Sequence, residues 1–311
     1  MNKKTKVGIV SGGKSFEHEV SKMTAASISE HIDQNLFEVV EIYINKDGEL
    51  NHKLLDDIDV VFLAVHGPNC EDGTLQQYLE DRGIKYTGSG VEASRINMDK
   101  KQMHEAFEKA GLSVVKFLGF GKTNGDVEII AKTEREIGYP CFVKPNNAGS
   151  SIGVSKAKNI HELRQGILKA FKHDDRIIIE KAVKEARDVE VGVLGNTELS
   201  ISKPGEIIYN ENFYDYNAKY FSGGTNVVIG ELDGSMSYKI KEMAACAYKA
   251  TNCCGYARVD FLLDKNGQLF INEINTLPGF TNASMFPKLM EDAGIKYTQL
   301  ITKIINLALG I

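Results

Sequence analysis

Four polar residues in the last quarter of the sequence have types and spacing suited to holding a metal ion. They flank Asn266-Gly267, the dipeptide favoured in a two-residue type I′ β-hairpin turn. If those two residues form the loop, the strands place these pairs opposite each other: Asp260 with Glu273, and Arg258 with Asn275. Because side chains alternate along a strand, all four share one face, and a four-residue loop would shift the pairing but keep them together.

Two carboxylates directly opposite each other, with Cβ atoms about 5 Å apart, repel. A bound divalent cation would remove that repulsion between Asp260 and Glu273, and Asn275 would add a neutral oxygen. Hard oxygen ligands, few in number, are typical of Mg²⁺ that shares its coordination shell with phosphate. The alternative is a solvated face with scattered charges. The opposite face is predicted to pack in the core through Val259, Phe261, Leu263, Phe270 and Ile274.

A second candidate feature is the glycine- and serine-rich loop from residue 146 to 153. It follows a short apolar strand that ends at Lys144. Such a loop can turn several backbone N–H groups toward an anion, and an ammonium beside it can hold a phosphate. The loop has neither the P-loop pattern nor the Rossmann fingerprint, so an ordinary surface loop is the alternative.

These residues require a scaffold, and the first part of the sequence indicates one. Apolar strands are predicted at Lys6–Val10, Phe37–Ile44 and Asp59–Val65, and helices at Val20–Ile32 and Thr74–Asp81. This alternation predicts an α/β layer with a parallel sheet. Ligands of such sheets gather at the carboxyl ends of the strands. Two polar loops, 11–19 and 66–73, emerge there.

Composition limits the classes of function. With 311 residues the chain suits two or three domains, and 42% hydrophobic with 25% charged residues is the balance of a globular protein. A net charge of −5, with basic and acidic residues interspersed, argues against nucleic acid or an anionic membrane as the main partner. Five cysteines without disulfide or zinc spacing, and the lack of an h-region or an apolar run of roughly 20 residues, predict a cytoplasmic protein.

Several further segments complete a pattern that resembles the ATP-grasp ligases, and within them the D-alanine–D-alanine ligases. The matching segments, in family order, are Gly12-Gly13, Glu17–Ser21, His66-Gly67, Glu71–Gln76, Tyr86–Gly90, Met98–Lys100, Gly149–Gly153, Tyr214–Tyr220 and Asn272–Thr281. The resemblance implies an N-terminal α/β domain (residues 1–97) followed by two ATP-grasp domains (98–182 and 183–311) that clasp the nucleotide. It implies ATP-dependent synthesis of D-alanyl-D-alanine through a D-alanyl phosphate, for peptidoglycan and hence the cell wall, by a homodimer.

The resemblance also implies residue roles. The residues that would bind ATP are Lys100, Lys144, Ser151, Glu180, Lys181, Val183, Asp188 and Lys219. Two Mg²⁺, or Mn²⁺, would be held by Asp260, Glu273 and Asn275. The catalytic set would be Glu17, Ser150, Tyr220, Arg258, Gly279 and Ser284. The two amino acids would be bound by Glu17, Val20, His66, Arg258, Gly279, Ser284 and Met285.

Within that set, Glu17 would bind the ammonium of the first D-alanine and connect to Ser150 and Tyr220. Arg258 and the Gly279 N–H would form an oxyanion hole, and the segment 214–224 would close over the site. Local alternatives remain for some of these residues. Glu17 could be a carboxylate that favours a helix start, His66 a structural histidine, Ser284 an N-cap, and the tyrosines of the segment loop anchors.

Three departures from the family pattern concern loop geometry and nucleotide affinity. Cys70 replaces a common glycine and would be strained if the backbone there needs a positive φ. Asp188 is one methylene shorter than the usual glutamate, and a Pro-Ala pair is absent near residues 228–230. Alternatives for the function are D-serine or D-lactate as acceptor, and a non-catalytic ATP-binding regulator. The complete set around Arg258 argues against the regulator.

Overall fold

The structure, a computed structural model, describes residues 3–208, 226–281 and 283–311. In these residues the chain forms three β-sheets with helices packed against them, so the fold is mixed α/β. None of the described helices is both long and apolar enough to cross a bilayer. All five cysteines are free thiols.

The first sheet is fully parallel, as predicted. Its strands are β1 (Thr5–Gly12), β2 (Phe37–Ile44) and β3 (Val60–Leu63), in the order β2-β1-β3. The helices of this part are α1 (His18–His31), a 3₁₀ turn (His52–Leu55), α2 (Thr74–Glu80) and α3 (Val91–Met98). The sequence analysis did not predict α3, whose eight residues carry little apolar periodicity. Loops 13–17 and 64–73 leave the carboxyl ends of β1 and β3, where ligands of parallel sheets gather.

The second sheet is antiparallel and has the order β4-β7-β5-β6. The elements of this part are α4 (Lys100–Lys109), β4 (Phe117–Gly121), α5 (Asp126–Glu136), β5 (Cys141–Pro145), β6 (Ser155–Ala157), α6 (Ile160–Ala170) and β7 (Arg176–Lys181). The apolar side chains of β5 and β7 alternate into a core with α5 and α6.

The third sheet is antiparallel, with the order β11-β10-β8-β12-β13 and β9 paired to β8. Its elements are β8 (Arg187–Leu194), β9 (Ser200–Ile201), β10 (Gly205–Ile208), β11 (Asn226–Ile229), α7 (Gly234–Ala250), β12 (Tyr256–Leu263) and β13 (Leu269–Asn275). Two helices follow, α8 (Met285–Asp292) and α9 (Tyr297–Leu309). The predicted closing segment 214–224 lies outside the described residues.

The β12–β13 hairpin has the predicted pairing, but not the predicted turn. Asp264 N donates to Gln268 O at 2.9 Å and Gly267 N donates to Asp264 O at 3.1 Å, so three residues form the loop. Gly267 takes the left-handed conformation that such loops require, with φ +79°. The longer loop shifts the register by one residue, and a bulge at Asn272 shifts it back. Asp260 therefore pairs with Glu273, and Arg258 with Asn275, as predicted.

The bulge corrects one prediction about the core. Phe270 was expected beside Val259 on the buried face, but it pairs with Leu262 and is only half-buried. Leu269 and Ile271 pack in the core instead. Between the turn and the bulge the faces of β13 are the reverse of those that a two-residue loop would give.

Helices α4 and α9 pack on sheets distant in sequence. Met103 and Phe107 of α4 are buried in the core of the third sheet. Ile301, Ile304 and Ile305 of α9 are fully buried in the core of the first sheet. The first sheet therefore needs residues from the far end of the described chain to complete its core.

Candidate active site

Two adjoining cavities contain most of the predicted site residues. A cavity of about 280 Å³, here the nucleotide cavity, lies between the second and third sheets. A smaller one of about 70 Å³, here the substrate cavity, lies between the first sheet's loops and β12–β13. The two share these wall residues: Lys100, Ala148, Gly149, Ser150 and Glu273. A ligand in one cavity can therefore reach a ligand in the other.

The nucleotide cavity collects every described residue that the resemblance assigned to ATP. These residues are Lys100, Lys144, Ser151, Glu180, Lys181, Val183 and Asp188. The eighth, Lys219, lies outside the described residues. Strands β5, β7 and β8 carry Lys144, Glu180, Lys181 and Asp188, so both sheets contribute to the wall. The first residue of α4 and two loops supply the other three.

Lys144 and Glu180 form a buried ion pair in this cavity, with 2.6 Å between Lys144 Nζ and Glu180 Oε2. Burial alone would lower the pKa of Lys144, but the Glu180 carboxylate raises it. Conversely, burial would raise the pKa of Glu180, but Lys144 and the nearby His104 lower it. Both groups are therefore charged, and an ammonium is held in place at the wall of the cavity.

His104 lies behind that pair and was missed by the sequence analysis. Its Nε2 is 3.2 Å from Asn272 O and 3.7 Å from Glu180 Oε1, and its side chain is buried. Burial lowers the pKa of His104, so the ring is neutral near pH 7. The available signal was its position four residues after Lys100, which places both on one face of α4.

The glycine- and serine-rich loop has an unusual backbone. Ser150 and Ser151 both adopt left-handed conformations, with φ +50° and +59°. Two consecutive non-glycine residues in that region store of order 1–3 kcal/mol each, and such strain concentrates at functional sites. Lys100 Nζ donates to Ala148 O at 2.7 Å and ties the loop to α4. The loop is thus held by specific contacts, unlike an ordinary surface loop.

In the substrate cavity, Glu17 and Ser150 meet across 133 residues of sequence, and Ser150 Oγ donates to Glu17 Oε1. Glu17 is buried just before α1 begins. The predicted link from Glu17 to Ser150 is therefore present. Tyr220, the third member of that predicted set, lies outside the described residues.

His66 lies on the first sheet's side of the substrate cavity. Its Nε2 is 3.0 Å from Thr24 Oγ1, and its Nδ1 is 3.9 Å from Glu71 Oε1. Burial alone would lower the pKa of His66, but Glu71 and Glu17 raise it. Glu71 lines the cavity and was not among the predicted site residues, although its motif was recognised.

The loop that carries His66 corrects the expectation for Cys70. The residue before it, Asn69, is left-handed with φ +68°, as are Gly67 and Gly73, but Cys70 itself does not have a positive φ. Cys70 is buried without backbone strain. The cysteine therefore fits this loop because its neighbour takes the unusual conformation.

Gly279 lines the substrate cavity beyond β13, and Ser284 lies directly behind it without lining the cavity. A Cβ on Gly279 would come within 2.8 Å of Ser284 Oγ, so a side chain at this position would require Ser284 to move. Ser284 is the N-cap residue of α8, but its Oγ accepts from Thr281 N at 3.0 Å rather than capping the helix. Gly279 lines the cavity, whereas Val20 and Met285 are buried in packing and do not.

The predicted metal ligands lie where the cavities meet. Asp260 faces the nucleotide cavity, Asn275 the substrate cavity, and Glu273 both. Asn275 Oδ1 is buried with no hydrogen-bond partner in the described part of the chain. A cation between the cavities would satisfy that oxygen and separate the opposed carboxylates, so the residues present fit Mg²⁺. Within the described ranges no three His, Cys, Asp or Glu side chains approach closely enough to hold a metal alone. Part of the coordination shell must then come from water or phosphate.

Arg258 lies on the same face, and its guanidinium contacts two carboxylates. Nε donates to Asp260 Oδ1 at 2.7 Å and Nη2 donates to Asp260 Oδ2 at 2.6 Å. Nε also lies 3.0 Å from Oε2 of Glu190, a residue that the sequence analysis missed. Burial alone would lower the pKa of Arg258, but these carboxylates outweigh burial and raise the pKa above its usual value.

Comparisons with known proteins match this arrangement over nearly the whole chain. A family model described as D-ala D-ala ligase C-terminus matches residues 106–306, and one described as D-ala D-ala ligase N-terminus matches residues 6–54 and 49–89. A D-alanine–D-alanine ligase from Geobacillus thermodenitrificans is 41% identical, over 98% of this chain and 96% of the relative. The chain belongs to the D-alanine–D-alanine ligase family.

Solved structures of this family have the same fold. A D-Ala:D-Ser ligase from Enterococcus faecalis superposes with TM-score 0.89 at 32% identity, covering 98% of this chain and 100% of that one. A D-alanine–D-alanine ligase from Bacillus anthracis complexed with ATP gives 0.86 at 32%, covering 99% and 98%. The predicted ATP-grasp architecture, with an N-terminal parallel-sheet α/β unit, is therefore confirmed.

Proposed function

We propose that this chain uses ATP to join two D-alanine molecules into D-alanyl-D-alanine, a precursor of peptidoglycan. The observation that carries the proposal is the full-length family match together with the paired cavities. One cavity holds a fixed ammonium on Lys144, and the other holds the buried carboxylate of Glu17. The shared wall lets a phosphate in one approach a carboxylate in the other.

The first step activates the carboxylate of one D-alanine. A carboxylate oxygen attacks the γ-phosphorus of ATP, the bond from phosphorus to the β–γ bridging oxygen breaks, and ADP leaves. Enzymes accelerate such phosphoryl transfer mainly by positioning and by cations on the phosphates. Lys144 and Lys100 supply positive charge in the nucleotide cavity, and Ser151 backbone lies in the strained loop beside them. Glu17 binds the ammonium of the same D-alanine.

The second step forms the peptide bond. The free amine of the second D-alanine attacks the acyl carbon, and the bond from carbon to the phosphate oxygen breaks. Inorganic phosphate leaves and takes up the proton that the amine loses. Arg258 and the Gly279 N–H stabilise the oxyanion of the tetrahedral intermediate. Losing one such donor costs on the order of 10²–10³ in rate. His66 borders the space for the second amino acid, and Ser284 lies behind Gly279 at the edge of that space.

Mg²⁺, or Mn²⁺ in its place, would be held by Asp260, Glu273 and Asn275. It would neutralise charge on the ATP phosphates during transfer. The support is the buried oxygen of Asn275 and the directly opposed carboxylates. Two ions suit these residues because Glu273 borders both cavities.

The remaining proposals rest on the family. We place domain boundaries after residues 97 and 182, because each of the three sheets then lies within one unit. A cytoplasmic homodimer is the expected form. Light scattering of the purified chain tests the dimer, and a monomer at working concentration would contradict it.

The decisive experiment measures ADP release with D-alanine, L-alanine, D-serine and D-lactate in separate reactions, and with D-alanine together with D-serine or D-lactate. Each product is identified by mass. We expect D-alanyl-D-alanine with D-alanine alone and no product with L-alanine. Absence of ADP release with every substrate would refute the enzyme. A mixed product from D-alanine plus D-serine, in preference to the homodipeptide, would move the chain to the function named for the Enterococcus faecalis structure.

A further inference from the structure

Glu190 belongs to a row of three carboxylates that crosses three adjacent strands. It pairs with Asp260 in the β8–β12 ladder, and Asp260 pairs with Glu273 in the β12–β13 ladder. Directly opposed residues point to the same face with Cβ atoms about 5 Å apart, where like charges are unfavourable. The third carboxylate is one more than the proposed ligand set uses. The metal proposed above does not explain why a third carboxylate, Glu190, stands in this carboxylate row.

Glu190 contacts the guanidinium of Arg258. The Glu190 side chain is only 6% exposed, and its Oε2 lies 3.0 Å from Arg258 Nε. Both oxygens of Asp260 accept hydrogen bonds from the same guanidinium. Arg258 is thus shared between one carboxylate proposed to bind metal and one that is not.

The sharing creates a competition at Asp260. A cation on Asp260 and a bidentate guanidinium draw on the same two oxygens. Releasing Asp260 would leave the buried guanidinium without an anion, which is strongly unfavourable, unless a second carboxylate stays with it. Glu190 is in place to do so, because it already faces Nε.

We propose that Glu190 is a positioning residue that retains Arg258 while Asp260 turns to the metal, so that the guanidinium remains at the acyl carbon. The inference rests on the proposed function, since it assumes the metal and oxyanion roles given above. A direct ligand role for Glu190 has less support, because no trio of acidic, His or Cys side chains within residues 3–208, 226–281 and 283–311 has metal-binding geometry. A purely structural role would affect stability alone.

The test measures cation binding in the presence of ADP and without D-alanine, by titrating Mn²⁺ and following its free signal by electron paramagnetic resonance. We expect Glu190→Gln to raise the half-saturating Mn²⁺ concentration by about tenfold, the range for outer partners of metal ligands. ADP binding without metal should be unchanged. The turnover number should fall, with little change in the Michaelis constant for ATP.

Glu190→Asp separates contact from charge. It keeps the negative charge but shortens the reach to Arg258, so we expect Mn²⁺ binding to weaken here as well. If Mn²⁺ binding is normal in Glu190→Asp but weakened in Glu190→Gln, only the negative charge of Glu190 matters and not its contact with Arg258. That result would overturn the proposal. If Glu190→Gln does not fold, the Mn²⁺ titration of Glu190→Asp alone tests the proposal, and normal binding in that variant would overturn it.

Glu206→Gln is the matched control. Glu206 lies on β10 of the same sheet and accepts from Arg187 Nε at 2.6 Å, outside both cavities. We expect Mn²⁺ binding and turnover to match the unmodified chain. An equal loss in Glu206→Gln, or no loss in either Glu190 variant, would refute the inference. A failed ligase activity in the unmodified chain with normal Mn²⁺·ADP binding would refute the function but leave the positioning of Arg258 measurable.

Discussion

The two cavities differ in how their buried charges are balanced. In the nucleotide cavity, Lys144 and Glu180 neutralise each other at 2.6 Å. In the substrate cavity, Arg258 and Glu273 lie in the wall, and the guanidinium already contacts Glu190 and Asp260. The first arrangement is complete without a ligand. The substrate cavity carries opposed carboxylates whose repulsion a bound cation would relieve. We therefore expect the chemistry to depend on a metal ion at the substrate cavity and on the fixed ammonium of Lys144 in the nucleotide cavity.

Removing one carboxylate at the meeting point of the cavities should have the largest effect. Glu273→Gln is expected to lower turnover by more than about a thousandfold, because it removes a charged ligand while keeping the shape. The measurement is ADP release at saturating ATP and D-alanine, with circular dichroism to establish folding. Near-normal turnover would show that the opposed pair has no metal role. Glu206→Gln on the same sheet serves again as the control.

Breaking the Lys144–Glu180 pair should lower the stability of the fold and should leave metal binding unaffected. Lys144→Met leaves the Glu180 carboxylate buried and unpaired, and should lower the free energy of unfolding by about 3–5 kcal/mol. The double variant Lys144→Met with Glu180→Gln should recover most of that loss, because no buried charge remains. Urea unfolding without nucleotide measures both. Lys156→Met, a cavity-wall lysine whose residue is exposed, should change stability little. A double variant no more stable than the single one would contradict the balanced pair.

The smallest effect concerns pH and the two buried histidines, one beside each cavity. The pKa of His66 is raised from its ordinary value of 6.5, chiefly by Glu71 and Glu17 against its burial. Its contribution to stability is therefore full below that value and is lost as pH rises through the raised pKa. The pKa of His104 is lowered by burial, with Lys144 and Lys100 acting in the same direction and Glu180 opposing. Its contribution therefore falls as pH drops below the ordinary value, where the unfolded state takes up the proton.

The measurement is the free energy of unfolding of His66→Gln and His104→Gln by urea at about pH 5.5 and about pH 8. His66→Gln should cost more at the acidic pH, and His104→Gln should cost more at the alkaline pH. The sign of each difference follows from the direction in which each pKa is shifted. Equal costs at both pH values would show that neither histidine titrates differently in the folded protein.

The hairpin shows both what the sequence could predict and what it could not. Local turn chemistry and alternation were enough to place Asp260 opposite Glu273. They gave the wrong loop, because Asn266-Gly267 suits a two-residue turn and also supplies the left-handed glycine of a three-residue one. The bulge at Asn272 restores the predicted register, so the pairs at the site are correct although the loop is not. Only Phe270, between the two irregularities, was placed on the wrong face.

Glu190 and His104 could not be found in the same way. Both act through partners distant in sequence: Arg258 lies 68 positions after Glu190 and Asn272 lies 168 positions after His104. Which strands of an antiparallel sheet become neighbours is a property of the tertiary fold and is not encoded in any local pattern. Family resemblance supplied the roles of matching motif residues, but it said nothing about the residues that hold them in place.

The packing of α9 against the first sheet has a consequence for how the protein is made. Strands β1 to β3 leave the ribosome well before Ile301, Ile304 and Ile305, which fill their core. Domains commonly fold in the order of synthesis, and exposed apolar surface on an unfinished one invites aggregation. The core of the first sheet therefore stays incomplete, and open on one side, until α9 has been translated. The chain's demand for chaperones should fall at that moment and not earlier.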